Sequence, residues 1–287
     1  MVGHRSLDPD TFMKRMMRWA GVIALGGWLN AFGAAAGVTS DVEYLNRDGL
    51  SLKLDVSVPD GPGPFPVAII LHGGGNKGDK QSYVTPLFGP LSAANFTWFT
   101  LDFRPVKEGI AAGVADIEEA IRWVKTNAAT YKADSRRIAL IGESTGGIFA
   151  CVVAGRAQAG STVDAVVAFY TPADLGYIMP NGKMGPRVRE YWGVKEDDDL
   201  AALMRAASPI SYARPGTPPV LLIHGSADPK VPHANSVRLE RAFKGAGVPC
   251  ELITIQNGDH GMGSWDAIDP SYQEKMVAWL KKTLEGR

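Results

Sequence analysis

Ile138-Ala139-Leu140-Ile141-Gly142-Glu143-Ser144-Thr145-Gly146-Gly147 runs from four apolar residues into a Gly-x-Ser-x-Gly-Gly turn, and a helical pattern continues from Gly147 to Ala157. A short aliphatic run of this kind is what a strand covered on both faces looks like. Glycines on either side of Ser144 make room for a sharp, strained strand-to-helix turn that lifts the serine hydroxyl above the strand end. The same turn aims the helix amino terminus at whatever the serine meets, so the Thr145 N–H can donate to a developing oxyanion.

Comparable runs stand at Val67–Leu71, Thr97–Leu101, Val163–Phe169, Val220–Ile223 and Glu251–Ile255, and Ser51–Val58 alternates as a half-exposed strand should. Helical patterns lie between them at Ala115–Thr126, Asn235–Gly245 and Tyr272–Leu284. Strand alternating with helix predicts βαβ crossovers, a mostly parallel central sheet and helices on both faces, an α/β fold. No repeat or long linker interrupts the chain, so residues 37–287 read as one domain. In such sheets the site lies outside the carboxyl ends of the strands.

Every unusual sequence sits at that edge. His72-Gly73-Gly74-Gly75 follows the first run, His224-Gly225-Ser226-Ala227-Asp228 follows Val220–Ile223, and Gly258-Asp259-His260-Gly261 follows the last run. A glycine turn required only for packing at Ser144 leaves these other strand ends unexplained. A serine hydroxyl needs a base within hydrogen-bond reach, itself oriented by an acid. Of five histidines, His4 lies near the amino terminus, His72 opens the glycine run, His224 ends a strand as a core-edge residue and His233 follows a proline. His260, in a glycine-rich loop after the last strand, is the expected base. Asp228 is the expected acid, ahead of Asp259, whose side chain should diverge from its neighbour, and Asp266, which lies beyond the loop. The glycine run lets backbone amides approach a substrate oxygen, so the second oxyanion donor is Gly73 or Gly74. Neither a Walker pattern nor a G-x-G-x-x-G opening a helix is present, which argues against a phosphate cradle.

His72-Gly73-Gly74-Gly75, Gly142-x-Ser144-x-Gly146-Gly147, His224-Gly225-x-x-Asp228-x-x-Val231-Pro232 and Asp259-His260-Gly261 together resemble the α/β-hydrolase superfamily. Within it the chain is similar, from about Leu52 to the end, to the secreted carboxylesterases of the hormone-sensitive-lipase-like and feruloyl or acetylxylan esterase (BD-FAE-like) type. The resemblance implies an α/β-hydrolase fold and serine-dependent hydrolysis of a small-molecule ester through an acyl-enzyme, without metal or organic cofactor. Short-chain or carbohydrate-linked acetyl and feruloyl esters are the implied substrates. Two departures stand out: Asn76-Lys77-Gly78 follows the glycine run where relatives often carry an aromatic, and Thr145 follows the nucleophile where alanine is common. Arg104, in Leu101-Asp102-Phe103-Arg104, and Asp116 read as a structural ion pair.

Residues 171–218 break the strand-helix rhythm and should form a small cap insert, with Tyr177, Met179, Met184, Tyr191 and Trp192 as its aromatic and apolar members. Tyr177, Met179 and Trp192 are the candidate substrate contacts. Arg187 and Arg189 lie near Asp197-Asp198-Asp199, which predicts a solvated surface there.

Composition narrows the rest. Lys plus Arg number 30 against 30 Asp plus Glu, a net charge of zero that offers no basic footprint for nucleic acid. The two cysteines, Cys151 and Cys250, fall in separate core elements and read as buried free thiols, with one bridge between them still allowed, and neither sits at zinc-site spacing. At the amino terminus, Lys14, Arg15 and Arg18 precede an apolar run from Trp19 to Phe32 and then Ala34-Ala35-Ala36, the plan of a signal peptide over residues 1–36, with Met13 a natural initiator. The run is short and glycine-rich for a spanning helix, so no stable membrane insertion is expected after cleavage, and the location is secreted or periplasmic. Competing functions are a serine peptidase of the prolyl-oligopeptidase type, a lactone or formamide hydrolase with the same machinery, and a non-catalytic module, which would be expected to lack one of the three site residues.

Overall fold

The computed structural model describes residues 37–75, 78–179, 186–195 and 200–285. The signal-peptide reading of residues 1–36, Met184 and Asp197 to Asp199 lie outside them.

The described residues form one eight-stranded sheet, in the order β1-β2-β4-β3-β5-β6-β7-β8. The strands are β1 Val38–Arg47, β2 Leu50–Ser57, β3 Phe65–Leu71, β4 Thr97–Leu101, β5 Ala133–Glu143, β6 Ala165–Phe169, β7 Val220–Gly225 and β8 Cys250–Ile255. β1 pairs with β2 and β2 with β4 antiparallel, and every other neighbouring pair is parallel. The helices are α1 Phe88–Ala93, α2 Ile110–Thr126, α3 Thr145–Arg156, α4 Leu175–Ile178, α5 Pro186–Trp192, α6 Leu200–Ala206, α7 Ala234–Gly245 and α8 Tyr272–Glu285.

Side-chain alternation along the strands divides the core in two. On β3, Val67, Ile69 and Leu71 join the cluster beneath α2, α3 and α7. Ala68 and Ile70 point the other way, into the cluster closed by α1 and α8. Each of these β3 side chains is fully buried, and burying an aliphatic side chain of this size contributes about 1.5–3 kcal/mol. Covering both faces is therefore what makes residues 67–71, 138–141, 165–169 and 220–223 uniformly apolar, and it holds the carboxyl ends of these strands at one rim.

Several elements depart from expectation: no aliphatic run predicts β1, and β5 begins at Ala133, five residues before its expected start. Residues 54–57 of β2 are buried continuously rather than alternately, because β2 is an interior strand between β1 and β4. Helix α2 begins at Ile110, five residues before its expected start, and buries Ile110, Gly113 and Val114 as well as Ile117, Ala120, Ile121 and Val124. Between β6 and β7 the chain carries α4, α5, α6 and a 3-10 turn at Pro209–Tyr212, in the region expected to hold the cap insert.

Candidate active site

Ser144 sits between β5 and α3 with φ 51° and ψ −115°. A non-glycine residue there is strained, and the surroundings show why the turn tolerates nothing larger beside it. A Cβ on Gly142 would fall 2.3 Å from the Gly146 carbonyl oxygen, and one on Gly146 would fall 2.3 Å from the Leu71 carbonyl oxygen. The Ser144 amide donates to the Phe169 carbonyl oxygen at 2.9 Å, which ties the turn to β6.

The strand ends bring Ser144, His260 and Asp228 into contact. His260 Nε2 lies 3.2 Å from Ser144 Oγ, and its Nδ1 lies 2.7 Å from Asp228 Oδ2. A carboxylate only accepts, so the ring hydrogen belongs on Nδ1 and the free lone pair of Nε2 faces the serine hydroxyl. Asp228 Oδ1 is held separately by the backbone amides of Lys230 at 2.7 Å and Val231 at 2.9 Å. Burial works to raise the Asp228 carboxyl, but hydrogen bonds from His224 and His260 outweigh it and hold the group well below the ordinary carboxylate range. Burial depresses the His260 imidazole below its ordinary value, against the upward pull of Asp228. The site thus pairs a charged acid with a neutral imidazole near neutral pH, the state a general base requires.

His224 has a larger part in this arrangement than that of a core-edge residue. It is fully buried, its Nε2 faces the Val231 carbonyl oxygen at 2.9 Å and Asp228 Oδ2 at 3.3 Å, and its Nδ1 meets Ser236 Oγ at 2.7 Å. Asp228 is consequently flanked by two imidazoles. The other histidine and acid candidates lie elsewhere. His72 is buried, contacts the Gly73 carbonyl oxygen at 2.8 Å and stacks on Phe103. His233 meets Thr254 Oγ1 at 3.0 Å, Asp259 accepts from Ser264 at 2.7 Å, and Asp266 faces Gln273.

Each glycine of the run after β3 yields its side-chain space to a different neighbour. A Cβ on Gly73 would fall 2.0 Å from Glu143 Oε1, one on Gly74 would fall 2.9 Å from the ring of Tyr83, and one on Gly75 would fall 1.9 Å from the Tyr191 hydroxyl. Tyr191 also meets Thr145 Oγ1 at 3.1 Å, joining the insert to the residue after Ser144. Tyr83 is 58% exposed with φ +65°, on a loop pinned by the Lys80–Asp41 ion pair at 2.8 Å and by Gln81 donating to buried Asp55.

Of the insert residues expected to touch substrate, Met179 and Trp192 pack into the core beneath the insert. Tyr177 lies at the surface under the Arg238 guanidinium, 4.5 Å from its ring centre, with Arg238 paired to Asp174 at 2.7 Å. The short helices bury their larger apolar side chains in the core cluster on that face, and it is Tyr191, rather than these three, that stands against the glycine run. Arg104 donates to Asp116 through Nε at 2.8 Å and Nη2 at 2.6 Å, away from the triad. Cys151 and Cys250 are buried free thiols, and burial pushes the Cys250 thiol up to about 12. Among the described residues no helix is long and apolar enough to cross a membrane.

The BD-FAE family model matches residues 54–243, a span that takes in Ser144 and Asp228 and ends before His260. Esterase LipQ of Mycobacterium tuberculosis is 29% identical over 228 residues, 74% of this chain and 54% of its own, so the chain spans about half the length of that relative. The protein YfhR of Escherichia coli K12 is 28% identical over 254 residues, 85% of this chain and 81% of its own. Among solved structures, a truncated carbohydrate esterase from gut microbiota superposes with a TM-score of 0.76 at 25% identity, covering 88% of this chain and 97% of that one.

Proposed function

The chain belongs to the BD-FAE family, and on that premise we propose that it is a serine carboxylesterase of α/β-hydrolase fold in which Ser144, His260 and Asp228 are nucleophile, base and orienting acid. One observation carries the reading: Nε2 of His260 is 3.2 Å from the Ser144 hydroxyl while Nδ1 is fixed on Asp228 at 2.7 Å. His260 takes the serine proton as Oγ attacks the ester carbonyl carbon, and the alcohol leaves with that proton. Water then repeats the sequence on the acyl-enzyme, returning Ser144 and releasing the acid. Thr145 supplies one oxyanion amide. The other comes from the glycine run, where the Gly73 amide leans towards Glu143 and Gly74 is the better donor. Each such donor stabilises the transition state by about 3 kcal/mol.

The substrates are small esters, with short acyl groups or acetyl and feruloyl groups carried on carbohydrate. Tyr83 supports this, since it offers a flat, exposed aromatic face against Gly74, a surface on which a sugar or aryl ring stacks. So does the likeness to a protein described as a carbohydrate esterase. The basic, apolar and small-residue succession over residues 14–36 supports a secreted or periplasmic location.

The test is turnover by the purified protein of an ester series from acetyl to long acyl, with acetylated sugars, feruloyl esters and a peptide amide alongside. Hydrolysis of the short and sugar-borne esters, abolished in Ser144→Ala, is the expected result. Turnover of the peptide amide alone transfers the site to a peptidase.

A further inference from the structure

Glu143 is a buried acid that the reaction above does not use. It closes β5 directly before Ser144 and is 3% exposed. Its Oε1 occupies the space where a Gly73 side chain would begin, so the carboxyl forms the floor of the glycine run. Beside it stands the fully buried Tyr170, whose ring packs on the His260 imidazole with centroids 4.7 Å apart. Among the described residues, neither Glu143 Oε1 nor the Tyr170 hydroxyl completes a hydrogen bond of ordinary geometry, although the Gly73 amide and the phenol lie close enough to favour the charged carboxylate. An unsatisfied buried polar atom is costly, so each one calls for an explanation.

We infer that Glu143 is a positioning residue of this site, that its carboxyl works in the protonated form, and that loss of the proton slows attack on the ester. The inference rests on the ester-hydrolase reading above. An ionised carboxylate under Gly73 would set negative charge against the loop that receives the oxyanion. The same charge would favour the imidazolium forming on His260, but the Tyr170 ring lies against that imidazole, and Asp228, 2.7 Å from Nδ1, already supplies the counter-charge. The effect on the loop decides the sign, because Glu143 Oε1 already fills the Gly73 side-chain space and Coulomb energy falls with distance. Among the described residues, the titratable and charged groups facing Glu143 are Tyr170 beyond β6, Tyr191 on α5 and Lys230 beyond β7. Burial is the largest influence on the carboxyl and, against the Gly73 amide, the Tyr170 phenol and Lys230, raises it to about 7.

Glu143→Gln keeps the side-chain shape and removes the charge. With kcat for a chromogenic acetyl ester followed from about pH 5 to about pH 9, the wild type should lose rate with a midpoint of about 7 and the variant should not. Their kcat ratio, variant over wild type, then rises roughly tenfold between about pH 6 and about pH 8, while KM stays level. Superimposable profiles, or a ratio constant at every pH, overturn the inference. If the variant does not fold, Tyr170→Phe decides: it removes a group that favours the carboxylate, so the decline must move to higher pH, and an unmoved decline overturns the inference. Wild-type protein inert toward every ester strikes the ester-hydrolase reading instead. The buried proton is then judged by carbon-13 titration of the glutamate carboxyls. One resonance titrating near neutrality in wild type and missing from Glu143→Gln upholds it, and no such resonance overturns it.

Discussion

Asp228 gives one carboxylate oxygen to His260, Oδ2 to Nδ1 at 2.7 Å, and keeps the other for the backbone amides of its own loop. The acid is thus fixed before it fixes the imidazole. Asp228→Asn retains the shape but turns an acceptor into an amide, which either faces Nδ1 with N–H groups and reverses the tautomer or gives up the backbone bonds. We expect kcat to fall by about 10⁴-fold, measured on the preferred ester. A variant retaining a tenth of wild-type turnover would remove Asp228 from the mechanism.

The pH dependence of kcat/KM has an acid limb set by His260. Its imidazole is depressed by burial below the ordinary 6.5, and the base acts only when unprotonated. Activity is therefore lost as pH falls through that lowered value, so the acid midpoint lies below 6.5. An acid midpoint above 6.5 in the wild type would contradict the buried geometry.

Stability carries a second pH signature, from Glu143. Its folded value, about 7 against 4.5, means that the folded state binds the proton more tightly, so stability is lost as pH rises from about 4.5 to about 7. At about 1.4 kcal/mol per unit the loss approaches roughly 3 kcal/mol. Glu143→Gln has no charge to bury and should exceed wild type by roughly 1–3 kcal/mol at about pH 8, converging with it below about pH 4.5. Urea unfolding at the two pH values measures this, and a constant difference would refute it.

Arg104 is tested through its partner. Asp116 is 1% exposed and its carboxylate is met by Nε and Nη2 of Arg104. Arg104→Ala strands a buried charge and should cost about 3 kcal/mol or more in denaturant unfolding, with kcat of the folded fraction within about twofold of wild type. A loss below about 0.5 kcal/mol would show that water replaces the guanidinium.

The rim of strand ends was legible because apolar strands covered on both faces cannot hide glycine, histidine and acid residues at their carboxyl ends: His72, Ser144, Asp228 and His260 stand out by contrast. β1 escaped notice for the opposite reason. Its sequence, VTSDVEYLNR, is an exposed edge strand with Tyr44 alone buried, so it has no aliphatic run to mark it. The flanking of Asp228 by His224 depends on how the loop from Asp228 to Val231 folds back onto the end of β7, which no spacing encodes. Tyr191 was one aromatic among several in the insert, and which of them meets the glycine run depends on how α5 seats its larger side chains. Glu143 did leave a trace: a charged residue between an aliphatic strand and the serine is out of place unless something uses it.

Tyr191 has a bearing on engineering. Since its hydroxyl rests on both Thr145 and Gly75, the segment linking β6 to β7 is not a freely exchangeable module. A chimera that imports this segment from a homologue inherits a mismatch unless the donor brings a group of similar reach and polarity to the same spot, so swapping for new selectivity has to recombine positions 75, 145 and 191 as one unit.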